Sequence, residues 1–158
     1  MATELEDLRV LQAAEKVADD IWKLVTKWDS FAKDTVGKQL ARAADSIGAN
    51  IAEAYGRFHF GEKIKFLYYS RGSLFETKYW LNRAQSRSLF DNESSSQFAT
   101  RLSDIARQIN SFAQSLKSQK DLSKKVKESP ADYKLESENQ TEVFSLADIQ
   151  QLSEVPSL

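Results

Sequence analysis

Apolar residues recur every three or four positions through the first 119 residues, and no proline interrupts them. This spacing places apolar side chains on one face of an α-helix, whereas a strand would need apolar and polar residues to alternate. Proline would break such a helix, but both prolines, Pro130 and Pro156, lie further along the chain. The sequence therefore predicts an all-α fold.

The apolar pattern divides into four stretches separated by short polar segments. It predicts helices over residues 4–28, 36–55, 61–87 and 92–119. Asp34 or Thr35 is expected to cap the start of the second helix, Gly56 to take a left-handed conformation after its end, and Asp91 to cap the fourth. Long helices joined by short loops are typical of antiparallel neighbours. We therefore predict an antiparallel up-and-down four-helix bundle over residues 1–119.

Residues 120–158 are polar and charged, with too few large apolar side chains to form a core, and are expected to be a largely disordered tail. Residues 145–154 differ, because Ser145 and Asp148 resemble a helix-capping box. The apolar residues that would share one face of this short helix are Leu146, Ile149 and Leu152. The segment is either a docking helix or a tail without function, and the second interpretation is favoured.

The formal net charge of −1 hides a strong asymmetry along the chain. Residues 1–36 carry a net charge of −3, residues 37–120 of +6, and residues 121–158 of −4. The chain has no cysteine, its N-terminus does not resemble a secretory signal, and no apolar run approaches the ~20 residues of a membrane span. We therefore expect a cytoplasmic protein that does not enter a membrane.

The second predicted helix has three faces, of which two consist mainly of apolar or small residues. Its core face is formed by Leu40, Ala43, Ile47, Ile51 and Tyr55. Beside it runs a ridge of small residues, Ala41, Ala44, Gly48 and Ala52. Small residues let another helix approach closely, and a glycine within a helix costs about 1 kcal/mol relative to alanine. Close helix packing is therefore the expected compensation at Gly48, and Ala44, Gly48 and Ala52 are predicted packing or assembly residues.

The third face of this helix is polar. Its residues are Arg42, Asp45, Ser46, Asn50 and Glu53. A solvated face is the favoured interpretation. The alternative is a buried polar network with Arg71, Ser73 and Glu76 of the third helix, in which a broken pair would cost several kcal/mol.

Residues 57–87 combine seven basic with two acidic residues and contain eight aromatic residues. The basic residues are Arg57, Lys63, Lys65, Arg71, Lys78, Arg83 and Arg87. Basic side chains neutralise phosphates and aromatic rings stack on unpaired bases, so the segment suits single-stranded or structured RNA. The same residue types are enriched at protein interfaces. Residue types alone favour the interface, and both uses can coexist in a ring.

Enzymatic and metal-binding functions have little support in the sequence. The one histidine, His59, has no cysteine or second histidine with which to complete a metal site or a nucleophile and base pair. No glycine-rich phosphate-binding loop is present. The sequence predicts a protein without catalytic activity, metal or cofactor.

The stretch "LARAADSIGANIAEAYGR", followed by "FLYYSRGSLFE", resembles the signature of the 23S rRNA intervening-sequence proteins, also called four helix bundle proteins. That family includes the accessory variability determinant of diversity-generating retroelements. The resemblance covers roughly residues 8–118. Gly48 stands where the family often has proline, and Ala54 where it usually has glycine.

The resemblance implies a four-helix bundle protomer that assembles into a barrel-like homopentamer without catalytic activity. In the retroelement members, the assembly binds a reverse transcriptase and RNA or DNA, and basic residues on the ring matter for this. The family-typical positions, which the resemblance implies to be architectural, are Asn50, Glu53, Gly56, Arg57, Gly72, Ser73, Leu74 and Glu76. The family's basic surface does not align residue by residue with this chain.

Two functions remain open from the sequence. The first is a non-enzymatic homo-oligomeric scaffold that binds RNA or other nucleic acid, a reverse transcriptase, or both. The alternative is an oligomeric protein-interaction module without affinity for nucleic acid, which recruits its partner through the tail. Salt-dependent RNA binding distinguishes them.

Overall fold

Four long α-helices make up most of the computed structural model, which describes residues 4–127. The α-helices are α1 Arg9–Val25, α2 Ser30–Ala32, α3 Lys38–Gly56, α4 Phe60–Ser86 and α5 Asn92–Lys127. A 3-10 turn, Leu5–Asp7, precedes α1, and a π-helical segment, Lys33–Gly37, joins the short α2 to α3. No strand occurs in the described part of the chain, so the all-α prediction is confirmed. The predicted short helix at residues 145–154 lies outside the described residues.

Each long helix packs mainly against two of the others. Helix α1 contacts α3 and α5, and α4 contacts the same two helices. Near the end of α4, the Gln85 side-chain amide donates a hydrogen bond to Asn92 Oδ1 at 2.6 Å, at the start of α5. Early in α4, the Tyr68 ring centroid lies 5.9 Å from Lys117 Nζ, far along α5. Helices α4 and α5 therefore run in opposite directions, consistent with the predicted bundle.

The core lies between these four helices and consists of the apolar stripes that the sequence showed. Its largest fully buried apolar side chains are Val17, Ile21, Leu40, Ile47, Ile51, Leu67, Leu81, Leu102, Ile105 and Ile109. These residues come from all four long helices, so no helix is peripheral to the core. Burial of each such side chain stabilises the fold by roughly 1.5–3 kcal/mol.

The second helical region begins earlier than the sequence predicted. Asp29 is its N-cap, because its carboxylate accepts hydrogen bonds from the N–H groups of Phe31 at 2.9 Å and Ala32 at 3.1 Å. The chain is then helical without a break as far as Gly56. The predicted cap at Asp34 or Thr35 was wrong. The aspartate five residues earlier satisfies the first free N–H groups, so nothing interrupts the helix later.

The left-handed residue is at the end of α4 and not at the end of α3. No glycine in the described residues has a positive φ, and the chain leaves α3 through Arg57 in an extended conformation, so the prediction for Gly56 was wrong. Ser88 has a φ of 58°. The N–H of the next residue, Leu89, donates to the carbonyl oxygen of Ala84 at 3.0 Å, which closes the helix end.

The start of α5 matches the prediction, but its end does not. Asp91 Oδ1 accepts a hydrogen bond from the N–H of Ser94 at 2.7 Å, which confirms Asp91 as the cap. The helix continues to Lys127, so the predicted end at Gln119 was wrong. No proline occurs before Pro130 to stop it. The predicted domain boundary at residues 119/120 thus falls inside a helix, while the division into a helical domain and a tail stays a prediction.

Candidate nucleic-acid and assembly surfaces

The seven predicted basic residues surround α4 and do not form a single patch. Arg57 forms an ion pair with Glu53, and its guanidinium lies 4.7 Å from the centroid of the Phe66 ring. Lys63 Nζ donates a hydrogen bond to the carbonyl oxygen of Tyr55 at 3.3 Å. These contacts hold two of the seven cations at the junction of α3 and α4.

Two further cations lie over aromatic rings of the same helix. Lys65 Nζ is 5.7 Å from the centroid of the Tyr69 ring, and the Arg71 guanidinium is 5.1 Å from that of Phe75. Cation–π contacts of this kind contribute about 0.5–1 kcal/mol at exposed sites. They orient both cations along the outside of α4.

The last three cations lie in the second half of α4. Partial burial lowers the pKa of the Lys78 ammonium. Arg83 donates a hydrogen bond to the Ser86 hydroxyl at 3.3 Å, and Arg87 follows the helix end as its C-cap. These residues are far along the helix from Arg57 and Lys63. The structure therefore separates the predicted set into two groups.

Lysines of α5 join the first group at one end of the molecule. A Cβ placed on Gly61, in the first turn of α4, would lie 3.9 Å from Lys120 Nζ. Lys124 follows one helical turn later on the same face. We call this region the basic end. It consists of Arg57, Lys63, Lys65, Lys117, Lys120, Lys124 and Lys125.

The four α5 lysines of the basic end were missed by sequence reasoning. The fourth helix was predicted to stop at Gln119, so three of these lysines were assigned to the tail. The spacing of Lys117, Lys120 and Lys124 at three and four residues is the signal that could have identified them. Continuing the helix to Pro130 would have placed all three on one face.

An exposed aromatic side chain follows Arg57 in the chain. Phe58, in the turn between α3 and α4, is 88% exposed. Its ring packs edge-on against His59, with 5.2 Å between centroids. The basic end thus combines clustered positive charge with an aromatic ring that is free to stack.

The small residues of α3 lie against α1. Gly48 contacts α1 so that an added Cβ would lie 3.5 Å from Leu11 Cδ1, an ordinary van der Waals distance. Packing within the protomer therefore does not require glycine there, and the expected close-packing compensation at Gly48 is not found. Ala44, Gly48 and Ala52 line an open groove of about 300 Å³ between the two helices, which we call the α1–α3 groove.

The α1–α3 groove is acidic. Its charged lining residues in the described part of the chain are Glu15, Asp19 and Asp45, with no basic residue among them. Partial burial, followed by the negative charge of Asp19, raises the pKa of Asp45. The two carboxylates face each other across the groove from α1 and α3, so this surface favours a positively charged partner.

The polar face of α3 reaches α4 at Asn50. Asn50 Nδ2 lies 3.5 Å from the Ser73 hydroxyl oxygen, which joins the two helices weakly. Glu53 and Glu76 are exposed, the first paired with Arg57 and the second accepting a long hydrogen bond from Trp80 Nε1 at 3.4 Å. The alternative prediction, that these carboxylates belong to a buried polar network, was therefore wrong for Glu53 and Glu76. Both lie on a solvated face, as the favoured interpretation predicted.

The remaining predicted assembly residues are the exposed glycines. Gly56 and Gly72 each have open space around an added Cβ, with nothing within 4 Å. Gly56 lies at the end of α3, whereas Gly72 lies in the middle of α4. No contact inside the protomer explains a glycine at position 72.

Residues 4–127 contain neither a metal-binding cluster nor a membrane-spanning helix. No group of three or more His, Cys, Asp or Glu side chains there is arranged to hold a metal ion. None of the helices in that range has an apolar stretch long enough to cross a membrane. The surfaces that stand out are therefore the basic end and the α1–α3 groove.

A comparison with sequence models of known protein families identifies the family of this chain. The sequence model of the 23S rRNA-intervening sequence protein family matches residues 6–111. The chain belongs to this family. The match confirms the resemblance carried by the α3 and α4 sequences. It ends before Lys117, so the α5 lysines of the basic end lie beyond the part shared with the family model. A comparison with curated proteins found no match.

Proposed function

We propose that this 23S rRNA-intervening sequence family member is a non-catalytic, homo-oligomeric scaffold that binds RNA through its basic end. In this proposal the four long helices form an antiparallel up-and-down bundle, and the protein acts in the cytoplasm. The observation that carries the proposal is the approach of Lys117 and Lys120 of α5 to the first half of α4, which carries Lys63 and Lys65.

The charge at the basic end supports a phosphate ligand. The region contains seven cations, compared with the three carboxylates of Glu53, Glu62 and Asp121. The carboxylate of Glu53 is already paired with Arg57. Each phosphate that a lysine or arginine neutralises releases a counterion, which makes the binding sensitive to salt.

The exposed aromatic ring supports an unpaired nucleic acid over a duplex. A base stacked on an aromatic side chain contributes about 1–3 kcal/mol, and this requires a base that is free of its partner. Phe58 is accessible for such stacking because it lies in the α3–α4 turn, next to Arg57 in the chain, and is exposed. RNA loops and single-stranded RNA or DNA present such bases.

Titration of a fluorescently labelled RNA hairpin tests the proposal. Binding by the full-length chain should weaken steeply as salt rises from about 50 to 200 mM. Lys120→Glu/Lys124→Glu should reduce the affinity at least ~10-fold, because two phosphate contacts become repulsive. The matched control is Lys16→Glu/Lys27→Glu, which makes the same charge change at exposed positions of α1 and the turn after it.

Two outcomes contradict RNA binding. One is the absence of detectable binding at 50 mM salt, and the other is an equal loss of affinity in the Lys120/Lys124 and Lys16/Lys27 variants. The second would show that only net charge matters and that the basic end is not a site.

A protein partner such as a reverse transcriptase is the second candidate function. Leu122 and Val126 are exposed on the last two turns of α5, at 61% and 87%. They are one helical turn apart and could form an apolar contact with a partner. Leu122→Ser/Val126→Ser, which removes the apolar surface without adding charge, should abolish co-purification of that partner and leave RNA affinity unchanged. Retained co-purification would exclude this surface.

A further inference from the structure

The outer side of α4 presents an unpartnered aromatic face. Tyr69, Phe75 and Tyr79 are 48%, 41% and 55% exposed, although they belong to a long central helix. With Gly72 they recur at three and four residues, so they lie on one side of the helix. We call these four residues the α4 outer face. An exposed cluster of large aromatic residues marks a protein interface more often than a solvated surface.

Gly72 gives this face its shape. It lies within α4, where glycine is unfavourable relative to alanine, and an added Cβ would meet nothing within the protomer. The cost of glycine is therefore not offset by any contact inside one chain. A depression between Tyr69 and Phe75 would instead let the backbone of another molecule approach α4 closely.

Charge identifies what covers the α4 outer face. Arg71 and Arg83 flank it, and Glu76 is the one carboxylate between residues 69 and 83. Packing of two α4 outer faces against each other would bring together two surfaces that both carry these arginines, which like charge disfavours. The α1–α3 groove offers the opposite charge, with three carboxylates and no cation among its described lining residues.

The α1–α3 groove also has the shape and an anchor for such a contact. Apart from Asp45, its α3 side consists of alanine and glycine, which leaves room for large side chains. Trp22 is 60% exposed and follows Glu15 and Asp19 on the same stripe of α1. An exposed tryptophan at the edge of a groove is typical of the residues that dominate binding energy.

We propose that the α4 outer face of one copy docks into the α1–α3 groove of a second copy. This inference rests on the homo-oligomer of the proposed function and names the surfaces that build it. The two surfaces differ, so the contact is heterologous and repeats from copy to copy until a ring closes. Within the basic end, Lys65 lies over Tyr69 at the edge of the α4 outer face, whereas the α5 lysines belong to neither surface and stay free for RNA.

Two tryptophan variants of the full-length chain test the docking by sedimentation velocity. Ala49→Trp fills the α1–α3 groove from an exposed position, and Gly72→Trp raises the α4 outer face. Each variant alone should be monomeric, while the wild-type chain is oligomeric. An equimolar mixture should form dimers containing one copy of each variant, because only one intact pair of surfaces remains. Thr100→Trp, at an exposed position on α5, is the control and should assemble like wild type.

Other geometries give different results. An α4-to-α4 contact predicts that Ala49→Trp stays oligomeric and that the mixture contains no mixed dimer, which would overturn the proposal. Wild-type assembly that persists in both variants would overturn the docking but leave the oligomeric scaffold intact. A monomeric wild-type chain would overturn both.

A milder variant separates loss of docking from loss of folding. Gly72→Ala should raise the helical content measured by circular dichroism, yet weaken assembly about tenfold, because one methyl group obstructs the close approach. Unchanged or tighter assembly of Gly72→Ala would contradict the role of Gly72. A tryptophan variant is interpreted only if its helical content equals that of the wild-type chain. If either tryptophan variant fails to fold, Gly72→Ala still tests the docking.

Discussion

Ser70 donates a hydrogen bond from its hydroxyl to the main-chain carbonyl oxygen of Ile47, at 2.7 Å, where α4 packs against α3. Both residues are fully buried. A small polar side chain on the core face of α4 is thus satisfied by the neighbouring helix. This contact fixes the register between the two helices that carry the family signature.

Ser70→Ala should lower the free energy of unfolding by about 1 kcal/mol, since it removes a buried hydrogen bond. Urea denaturation measures the change. Ser46→Ala is the matched control, because the Ser46 hydroxyl donates only to Arg42 in its own helix, and it should change stability by less than ~0.5 kcal/mol. Equal effects of the two variants would contradict the role of the Ser70 contact.

Asp20 should make the fold sensitive to acid. Burial works to raise the pKa of Asp20, but the hydrogen bond and charge of Arg101, together with Lys23, lower it below its ordinary value. Arg101 Nη1 lies 2.8 Å from Asp20 Oδ2. A lowered pKa in the folded state adds stability above the unfolded pKa, and this is lost as pH falls through the folded pKa.

We therefore expect Asp20→Asn to destabilise the protein by about 0.5–1 kcal/mol at pH 7 and to be neutral well below pH ~4. Urea denaturation at a series of pH values measures this. Asp34→Asn, which breaks the fully exposed pair with Lys38, should have a smaller effect at every pH. A pH-independent loss in Asp20→Asn would exclude the ion pair as its cause.

Asp45 should change the pH dependence of stability in the opposite direction from Asp20. Its pKa is raised, first by partial burial and then by the charge of Asp19, so its ionised form is disfavoured in the folded state. The stability present below the unfolded pKa is lost as pH rises through the folded pKa. Asp45→Asn should thus stabilise the chain by a few tenths of a kcal/mol at pH 7, and the gain should vanish near pH 3. A destabilised variant at pH 7 would contradict the repulsion between the two carboxylates.

Gly37 and Gly72 should respond in opposite ways to alanine. A Cβ on Gly37 would lie 2.7 Å from Val25 Cγ1 and 3.2 Å from the carbonyl oxygen of Ala32, so Gly37→Ala should cost roughly 1–3 kcal/mol. A Cβ on Gly72 meets nothing, so Gly72→Ala should raise the stability of the protomer by up to ~1 kcal/mol. Thermal and urea denaturation measure both. The same sign of change in both variants would contradict these surroundings.

Most of the fold was predictable from sequence, as α4 and α5 show. Helix α4 was predicted over residues 61–87 and is observed at Phe60–Ser86, because the spacing of its apolar residues is a local signal. The cap of α5 at Asp91 is a local signal of the same kind. The end of α5 was not predictable from its apolar pattern. Its last turns carry lysines and serines that bury nothing, and the helix continues because no residue stops it.

The candidate sites were less predictable. Residue types identified the cations of α4, but the α5 lysines that lie beside the first of them depend on how the two helices pack. Lys120 joins the basic end only because α5 runs past the first turn of α4, near Gly61. The groove carboxylates Asp19 and Asp45 come from different helices, so no spacing along the chain relates them.

The sequence by itself determined that four long helices form, which of their faces are apolar, and to which family the chain is related. These properties depend on side-chain spacing within single helices and on local motifs. The tertiary structure alone decided that Ser70 reaches Ile47, that Gly37 is crowded while Gly72 is open, and that an acidic groove lies between α1 and α3. Each of these depends on the pairing and register of helices, which arise from packing between residues distant in the chain.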